Sequence, residues 1–491
     1  MFAAVTSVAL VGVEPRPVRV EVHVGGSNDS FHLVGLPDTA IREAKERVRA
    51  AFASSGYNFP NRRVIVNLAP ADIPKAGSAY DLPIALGVLA ASGEVPPGVT
   101  GVVALGELAL DGSVRPTRGG LGAGIVARSV GTVCLLPPES AAEASLVEGV
   151  TVKAVTSLPE AIAVASGELE GSVAKLTRSE DPAQDHPDLA EVRGQRIARR
   201  ALAIAAAGGH HLILRGPPGA GKTMLARCLP GLLPPLTDEE VLEVAQAWAA
   251  AGRKRAVLRR PPFRSPHHTA TTAAIVGGGS GVPLPGELSL AHRGVLFLDE
   301  LGEFPSHLLN SLRQPIEEGE VVVARSGASV RFPCSTQVVA ATNPCPCGYA
   351  GDRVVACRCS PRAVERYRRR LSGPLLDRFD LYVPVPRLAA DEIAGPGGEP
   401  SAAVRERVVA ARARQAGRGA LNRDSPRQRL DSLEWDPAAA GLLRDAVAQL
   451  GLTGRGWDRV RRVSRTIADL EGSDVVAERH LAEAISFRTA P

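Results

Sequence analysis

The sequence predicts an α/β protein with several domains, and three observations lead to this prediction. The chain has 491 residues, enough for about two to four domains with substantial cores. Its composition is 45% apolar but only 4% aromatic, a balance typical of α/β proteins rather than disordered chains. At 211–227 an apolar run, a glycine-rich segment and a helix-like segment follow one another, which is the order strand, loop, helix.

Changes of composition along the chain predict three domains. Residues 1–175 alternate between strand-like and helix-like patterns and carry no nucleotide motif. A polar stretch at 178–186 is typical of a linker and leads to an α/β core at 187–386. A Gly- and Pro-rich stretch at 391–401 predicts a flexible connection to an arginine-rich helical domain at 402–491.

The first domain has clear local patterns. Apolar residues alternate at 18–24 and 63–68, which predicts two strands. Residues 38–52 place apolar side chains on one side of a helix, and residues 81–92 predict a second, more apolar helix.

The glycine-rich segment has the residues of a phosphate-binding loop, between a predicted strand at 211–214 and a helix. Its glycines would let backbone N–H groups turn towards phosphate oxygens, and the helix N-terminus adds a favourable field. Lys222 would reach the β- and γ-phosphates of ATP, and Thr223 would bind Mg²⁺. The predicted nucleotide-binding residues are Gly216, Pro217, Pro218, Gly219, Ala220, Gly221, Lys222 and Thr223.

Two carboxylates end another predicted strand, at 295–298. Asp299 would hold Mg²⁺ through water, and Glu300 would orient and deprotonate the water that attacks the γ-phosphate. A strand that ends in two surface acids is common by itself, but its combination with the phosphate loop favours a catalytic pair. The next predicted strand, at 337–341, leads to Asn343, which would hydrogen-bond the γ-phosphate or the attacking water.

Arg378 lies between two acids in the segment 375–380. An arginine beside the sheet would stabilise charge on the γ-phosphate of a neighbouring subunit. The alternative is an ion pair within its own chain, with Asp377 or Asp380. The residues alone leave both roles open.

Taken in order, these motifs resemble those of the AAA+ ATPases, and more narrowly their magnesium-chelatase-like branch. Longer segments resemble the YifB/ComM family, and the resemblance covers essentially the whole chain. The segments that carry it are 265–268, 285–292, 366–379 and 465–470.

The resemblance implies a P-loop AAA+ core with a C-terminal helical lid. It implies a cytoplasmic ATP hydrolase that uses Mg²⁺, forms a homo-oligomeric ring, a hexamer, and acts on DNA. Branch migration of recombination intermediates is the helicase-like activity attributed to the family. The resemblance also implies that Arg378 is an arginine finger and that Arg455, at the start of a helix, is a second sensor. Three other arginines lie near the same helical face: Arg459, Arg462 and Arg465.

Segments 73–81 and 106–127 are similar to the Lon-type peptidase domain, an α+β fold. That enzyme needs a Ser nucleophile and a Lys base. The aligned positions hold Ala79 and Gly122 instead, while Ser78 is one residue away and Lys75 belongs to a strand and its turn. The resemblance therefore implies a ChlI-type domain without the catalytic dyad, which serves as an assembly or binding platform.

Two segments are candidates for loops that grip DNA. Residues 277–281 are almost all glycine, which is too flexible for packed core, and in the resembling families this region holds an inserted hairpin near a central pore. Residues 318–325 resemble a second such hairpin. Surface loops without a ligand are the alternative for both.

The seven cysteines favour metal binding or buried thiols over disulfides, because the chain has the features of a cytosolic protein. Four of them lie within fifteen residues and would bind one tetrahedral Zn²⁺. Their C-x-C spacing is tighter than the usual C-x-x-C, so free thiols remain the alternative. The candidate ligands are Cys345, Cys347, Cys357 and Cys359; three others are expected in the core, Cys134, Cys228 and Cys334.

Two further groups of polar residues have more than one interpretation. His267 and His268 would bind metal, contact DNA or phosphate, or have a structural role; adjacent residues point in different directions, which disfavours shared ligation. A helix with five arginines and one opposing acid, Glu365, would contact phosphates, or would be a solvated or intersubunit face. Its arginines are Arg362, Arg366, Arg368, Arg369 and Arg370.

The formal net charge of +5 permits nucleic-acid binding without requiring it. The N-terminus lacks the basic residues of a signal peptide, and no apolar run reaches the roughly 18 residues that span a bilayer. We therefore expect a cytoplasmic protein without membrane association. The main alternative function is a magnesium-chelatase-type ATPase subunit that remodels a protein partner; an ATP-dependent peptidase and a nucleotide-gated scaffold are further alternatives.

Overall fold

The computed structural model of the chain describes residues 1–26, 29–75, 77–174, 186–253, 259–279, 283–325, 328–371, 375–450 and 452–488. The predicted linker at 178–186 lies outside these residues except for His186, and so do Ser280, Gly281 and the side chain of Arg370. The chain divides into two compact units. The first contains residues 1–180 and 241–258, and the second contains residues 181–240 and 259–491.

The described residues of the first unit contain short and long strands, six complete helices and the greater part of a seventh, α9 (Asp238–Ala250). The strands are β1 (Phe2–Val11), β2 (Glu14–Gly25), β3 (Ser30–Val34), β4 (Arg63–Ala69), β5 (Val103–Ala104), β6 (Glu107–Leu108), β7 (Val114–Arg115), β8 (Cys134–Leu136), β9 (Val152–Ala154) and β10 (Ser172–Val173). The helices are α1 (Thr39–Arg42), α2 (Ala44–Ser55), α3 (Asp81–Ser92), α4 (Gly120–Val130), α5 (Pro138–Ala144) and α6 (Leu158–Ser166).

A mixed sheet in the order β10-β9-β8-β5-β1-β2-β4-β3 forms the centre of the first unit. β1 and β2 are a long antiparallel hairpin in which Phe2 lies opposite His23 and Val11 lies opposite Glu14. The alternate valines of β2 are buried, as the period of a strand requires, and the apolar helix α3 packs on β1 and β2. Gly87 of α3 allows this contact, because a Cβ there would lie 2.7 Å from Val22.

The predicted elements of this unit are largely confirmed. The two strands and the helix at 81–92 appear as β2, β4 and α3. The helix expected at 38–52 is interrupted: α1 ends at Arg42 and α2 begins at Ala44, with Glu43 between them.

The second unit contains the phosphate-loop sequence. Its strands are β11 (Leu212–Arg215), β12 (Phe263–Arg264), β13 (Gly277–Gly278), β14 (Leu284–Pro285), β15 (Val295–Leu298), β16 (Glu320–Arg325), β17 (Ala328–Pro333), β18 (Gln337–Thr342) and β19 (Leu381–Pro384). Its helices are α7 (Arg196–Gly208), α8 (Lys222–Leu232), the start of α9 (Asp238–Ala250), α10 (Thr272–Val276), α11 (Glu287–Leu290), α12 (Ser306–Ser311), α13 (Arg313–Glu318), α14 (Pro361–Leu371), α15 (Ala390–Ala394), α16 (Ser401–Gly417), α17 (Arg427–Asp431), α18 (Pro437–Leu450), α19 (Gly454–Leu470) and α20 (Glu478–Ser486).

Five parallel strands in the order β12-β15-β18-β11-β19 form the sheet of the second unit. Every residue of β15 and β18 is buried, which is expected for central strands of a parallel sheet. Because the strands are parallel, the residues that follow β11, β15 and β18 meet at one edge. The phosphate loop, Asp299 and Asn343 are therefore brought to the same place.

Two antiparallel hairpins lie in the connections between strands of this sheet. β13 pairs with β14, so the glycine-rich segment does form a hairpin, although Gly278 is buried rather than fully outside the packed core. β16 pairs with β17, from Glu320 opposite Pro333 to Arg325 opposite Ala328. The expectation that 318–325 is itself a hairpin is therefore wrong, because this segment supplies only the end of α13 and the first strand.

The C-terminal part of the second unit is helical, as predicted, and α16, α18, α19 and α20 pack on one another. The flexible connection expected at 391–401 is shorter than predicted, because α15 occupies Ala390–Ala394 and α16 begins at Ser401, which leaves only 395–400 without regular structure. Cys134, Cys228 and Cys334 lie in the cores of their units, as expected. Within the described ranges, no helix has the length and apolar character needed to cross a membrane.

Candidate active site

The loop between β11 and α8 requires glycine for two different reasons. Gly219 and Gly221 have φ angles of 75° and 90°, a left-handed conformation that side chains rarely adopt. Gly216 instead allows a close approach, because a Cβ there would lie 1.9 Å from the carbonyl oxygen of Val385, the residue after β19. The start of the loop thus packs closely against the sheet, and the end of the loop has a left-handed backbone that glycine permits.

Lys222 is the first residue of α8 and is only 9% exposed. Its Nζ donates hydrogen bonds to the carbonyl oxygens of Gly216 (2.7 Å) and Pro217 (2.9 Å) and to Asn343 Oδ1 (3.1 Å). Burial lowers the pKa of Lys222, and the charges of Asp299 and Glu300 act in the opposite direction. Lys222 therefore links the phosphate loop to the end of β18.

Asp299 and Thr223 form the second contact across this edge of the sheet. Thr223 Oγ1 donates to Asp299 Oδ2 at 2.8 Å, and the backbone N–H of Glu300 donates to Asp299 Oδ1 at 2.9 Å. A hydroxyl and a carboxylate are oxygen ligands of the kind Mg²⁺ prefers. The donor set present here therefore suits that ion.

These residues line one cavity of about 420 Å³, which is in the size range of small-molecule sites. Its walls are the loop from Pro218 to Met224, the acids Asp299 and Glu300, and the end of β18 with Asn343. The structure thus brings together the predicted phosphate loop, the predicted acid pair and the predicted sensor.

His268 contacts Glu300, which sequence reasoning missed. His268 Nδ1 lies 3.3 Å from Glu300 Oε2, while the His267 ring is 4.1 Å from that of His268 and its Nδ1 lies 2.8 Å from Thr269 Oγ1. His268 lies just after β12, which pairs in parallel with β15, and this position could have indicated the contact. A strand of two residues, however, has no recognisable sequence pattern. The structure gives no support to metal binding by the histidine pair, because the one metal-suited group of three or more His, Cys or acidic residues found in the described part of the chain lies elsewhere.

Arg378 ends a short 3-10 turn, and its guanidinium forms an ion pair with Glu317 of α13. Asp380, one of the two expected partners, pairs instead with His210 (3.1 Å) and Arg459 (3.6 Å). Burial acts to raise the pKa of Asp380, but the hydrogen bond from His210 and the neighbouring positive charges lower it overall. Arg378 is not among the residues that line the cavity.

The arginines of α19 differ in environment. Arg455 is exposed and, like Arg378, does not line the cavity. Arg459 pairs with Asp380, Arg462 donates to the carbonyl oxygen of Ser425 at 2.9 Å, and Arg465 pairs with Asp469 at 3.0 Å. Arg459 therefore contacts the residue before β19, whereas Arg462 and Arg465 have partners within the helical region.

The four clustered cysteines converge. All four sulfur atoms lie within 4.8 Å of one another, and Cys345 Sγ is 3.4 Å from Cys347 Sγ and 3.6 Å from Cys357 Sγ. Backbone hydrogen bonds from Tyr349 and Arg358 lower the pKa of Cys347 to about 6. The cluster has the ligand number and type of a structural zinc site.

The cysteine loop, residues 345–359, also contacts the phosphate loop. Gly348 has a φ of 88°, and a Cβ there would lie 2.5 Å from Pro218 Cδ. On its other side, Asp352 accepts a hydrogen bond from Arg387 Nε at 3.2 Å. The shape of this loop is thus coupled by packing to one wall of the cavity.

The residues at or near the positions of a peptidase dyad have other partners. The hydroxyl of Ser78 donates to the carboxylate of Glu107, and Lys75 is buried with its ammonium group donating to the carbonyl oxygen of Pro70. Burial lowers the pKa of Lys75. Gly122 lies within α4, where a Cβ would come within 2.9 Å of Leu10.

Three family models match the chain. The model described as magnesium chelatase, subunit ChlI, matches residues 188–393. The models described as subunit ChlI of Mg-chelatase and as magnesium chelatase, subunit ChlI C-terminal, match residues 20–140 and 398–488.

Curated relatives agree with these matches. The chain is 42% identical to YifB of Escherichia coli over 98% of this chain and 96% of that protein. It is 41% identical to competence protein ComM of Haemophilus influenzae over 99% of this chain and 97% of that protein. The magnesium-chelatase 38 kDa subunit of Acidiphilium rubrum is 28% identical over 59% of this chain and 85% of that protein.

Proposed function

Since the chain belongs to the YifB/ComM family of magnesium-chelatase-like proteins, we propose that it is a Mg²⁺-dependent AAA+ ATPase that assembles as a hexameric ring and acts on DNA. The main support for ATPase activity is that four polar side chains converge on one cavity. These are Lys222, Thr223, Asp299 and Asn343.

Each of these residues has a role in ATP hydrolysis. The phosphate loop and Lys222 bind the β- and γ-phosphates, and Thr223 and Asp299 hold Mg²⁺, which neutralises charge on the phosphate oxygens when it is bound. Glu300 orients the attacking water and accepts its proton, and Asn343 fixes the position of that water or of the γ-phosphate. Arg378 and Arg455 lie outside this cavity and supply further positive charge that stabilises the γ-phosphate during hydrolysis.

We assign Arg378 to the nucleotide of a neighbouring protomer. In its own protomer it contacts Glu317 and lies away from the cavity, so a role as an arginine finger requires the ring. Arg455, as the second sensor, is exposed at the start of α19 and free to respond to nucleotide.

DNA is the proposed substrate of the motor, with branch migration as the activity. Its support is the full-length similarity to a protein named for competence, and the two hairpins, β13–β14 and β16–β17, that are available to grip a strand. The alternative, a chelatase-type subunit that remodels a protein partner, is less well supported because the chelatase subunit matches at lower identity and over a smaller share of the chain.

The remaining assignments concern zinc and the domains. Cys345, Cys347, Cys357 and Cys359 hold one structural Zn²⁺, for which the convergence of their sulfur atoms is the support. The chain has a Lon-protease-like domain at 1–175 without a catalytic dyad, an ATPase core at 187–386 and a helical lid at 402–491. The first domain serves as a platform for assembly or binding, and the protein is cytoplasmic.

The ATPase rate in the presence of DNA tests this proposal. Single-stranded, duplex and branched DNA should each be compared with no DNA, with ring size measured on the same sample. We expect DNA to stimulate hydrolysis, and branched DNA to do so most. ATPase activity that no DNA changes would contradict the DNA part and favour the protein-remodelling alternative.

A further inference from the structure

The cysteine loop and α14 carry an excess of positive charge. Residues 345–371 contain seven arginines and two acids, Asp352 and Glu365. Both acids are engaged: Asp352 accepts from Arg387 at 3.2 Å, and Glu365 pairs with Arg369 at 3.1 Å. The positive charge of the segment is therefore not neutralised by its own acids.

Two arginines of α14, Arg362 and Arg366, lie away from its packed side. Tyr367 is buried, with its hydroxyl 3.3 Å from Thr342 Oγ1 and its ring against Gly302. Arg362 and Arg366 are exposed and one turn apart, about 6 Å along the axis. At about 100° per residue both lie at least about 100° from Tyr367 around the helix.

Arg358 extends this surface towards the cysteine loop. It lies between Cys357 and Cys359 and is exposed. Ser360 follows and caps α14, because its Oγ accepts from the backbone N–H of Ala363 at 3.3 Å. Arg358 is thus held between two cysteines of the cluster, directly before the capped start of the helix.

These three arginines have no acidic partner within the described residues, although many other arginines of the chain do. Exposed, unpaired guanidinium groups on successive parts of a surface suit an extended polyanion better than a small anion, which needs an enclosing pocket. The surface is also close to the candidate active site, because Tyr367 packs against the strand that ends before Asn343.

We propose that Arg358, Arg362 and Arg366 bind the phosphate backbone of nucleic acid, a site that we call the arginine surface. This inference rests on the proposed action on DNA and adds a binding site outside the two hairpins. Binding there is independent of sequence, because guanidinium–phosphate pairs carry no base information. The competing occupant is an acidic face of a neighbouring protomer.

The test compares two triple variants of the full-length protein. One carries Arg358→Ala, Arg362→Ala and Arg366→Ala. The matched control carries Arg196→Ala, Arg427→Ala and Arg444→Ala, which removes the same charge from exposed arginines elsewhere in the second unit. Affinity for a labelled single-stranded oligonucleotide and for its duplex is measured across a salt series, together with ring size and the thermal unfolding midpoint.

We expect the arginine-surface variant to bind both oligonucleotides at least about tenfold more weakly, with ring size and unfolding midpoint retained. Its plot of log K against log salt should be shallower by about 0.7 to 0.9 for each guanidinium–phosphate pair that the substitutions remove. The control should keep the wild-type slope. Equal affinity and slope for wild type and variant would overturn the inference, and so would an equal weakening in the control.

Loss of the ring in the arginine-surface variant alone would also overturn the inference, in favour of a protomer interface. Failure of the proposed function is distinguishable, because wild-type protein would then bind neither oligonucleotide.

Discussion

Glu300 has a left-handed backbone, with a φ of 52°, and this is unusual for a residue other than glycine. Such a conformation costs on the order of 1–3 kcal/mol and persists only where the surroundings impose it. Here the backbone N–H of Glu300 is fixed by Asp299, and its carboxylate faces His268 at 3.3 Å. The direction of the proposed base is therefore set by its neighbours rather than by its own preference.

We predict that His268→Ala lowers kcat for ATP hydrolysis by roughly five- to tenfold, without changing ATP affinity. Removal of this imidazole–carboxylate contact, worth about 1 kcal/mol, leaves the Glu300 carboxylate in several orientations. His267→Ala is the control, because the His267 ring contacts Thr269 and the His268 ring but is not paired with Glu300. Steady-state kinetics with nucleotide-binding measurements check this; equal effects of the two variants would contradict a positioning role for His268.

The positions of some site residues could be predicted from the sequence, whereas the contacts of others could not. Lys222, Thr223 and Asp299 could be predicted because covalent spacing after a strand determines where they lie. The contacts of Glu300 with His268 and of Arg378 with Glu317 could not, because each joins segments whose approach depends on the packing of several elements.

At the scale of elements, β11 begins next to a buried histidine. His211 Nδ1 accepts the backbone N–H of Val338 at 3.0 Å, so its neutral form continues the pairing of β11 with β18. Burial, with the charge of Arg423, lowers the pKa of His211 to about 3. The folded state therefore favours the neutral imidazole of His211.

We predict that acid destabilises the second unit through His211. Its folded pKa lies below the ordinary value of about 6.5, so its contribution is fully present above about pH 6.5 and declines as pH falls towards 3. Between pH 7 and pH 5 the decline is about 2 kcal/mol of unfolding free energy. His211→Asn, which keeps an acceptor but does not titrate, should show a smaller decline in denaturant unfolding; an unchanged pH dependence would refute this.

We predict that the cysteine loop binds zinc. Protein purified without chelator should contain about one zinc per chain, and Cys347→Ser should reduce this content and lower the unfolding midpoint. Cys334→Ser is the control, because its thiol donates to the carbonyl oxygen of Pro315 at 3.3 Å and lies outside the cluster. Wild-type protein without stoichiometric zinc, by elemental analysis, would remove the proposed site.

Helices and strands with a clear apolar periodicity could be predicted from the sequence. Elements that depend on strand pairing could not. α3, β4 and β18 have continuous apolar patterns and occur where expected. The partner of β16 could not be predicted, because the short sequence between β16 and β17 carries no periodic signal. α15 could not be predicted, because glycines and prolines follow it directly.

In the whole molecule, the two compact units do not follow one another as two continuous stretches of sequence. Residues 241–258 belong to the first unit although they follow the phosphate loop by sequence. No composition shift marks this segment, so it could not be assigned from sequence. The assignment of the second unit to an ATPase fold could be made, because its motifs extend over most of its length.

A mixture of two inactive variants tests whether sites are shared between protomers. Lys222→Ala removes the ammonium group that binds phosphate and Arg378→Ala removes the finger, so each ring alone should hydrolyse little ATP. An equal mixture should recover activity at about a quarter of its interfaces, where an intact Lys222 meets an intact Arg378 of the neighbour. Phosphate release from preformed mixed rings measures this.

The control for this experiment mixes Lys222→Ala with Glu300→Gln. Both residues belong to the same protomer's half of the site, so no interface is restored. Absence of recovery in the first mixture, or equal recovery in both, would show that Arg378 acts within its own chain.

We propose that ATP is hydrolysed in the cavity at the end of β11, with Glu300 as the base. The most direct measurement is ATP binding and phosphate release by Glu300→Gln on one preparation. We predict that binding is retained while turnover falls by at least about 100-fold, the usual contribution of a general base. Wild-type turnover by this variant would contradict the account.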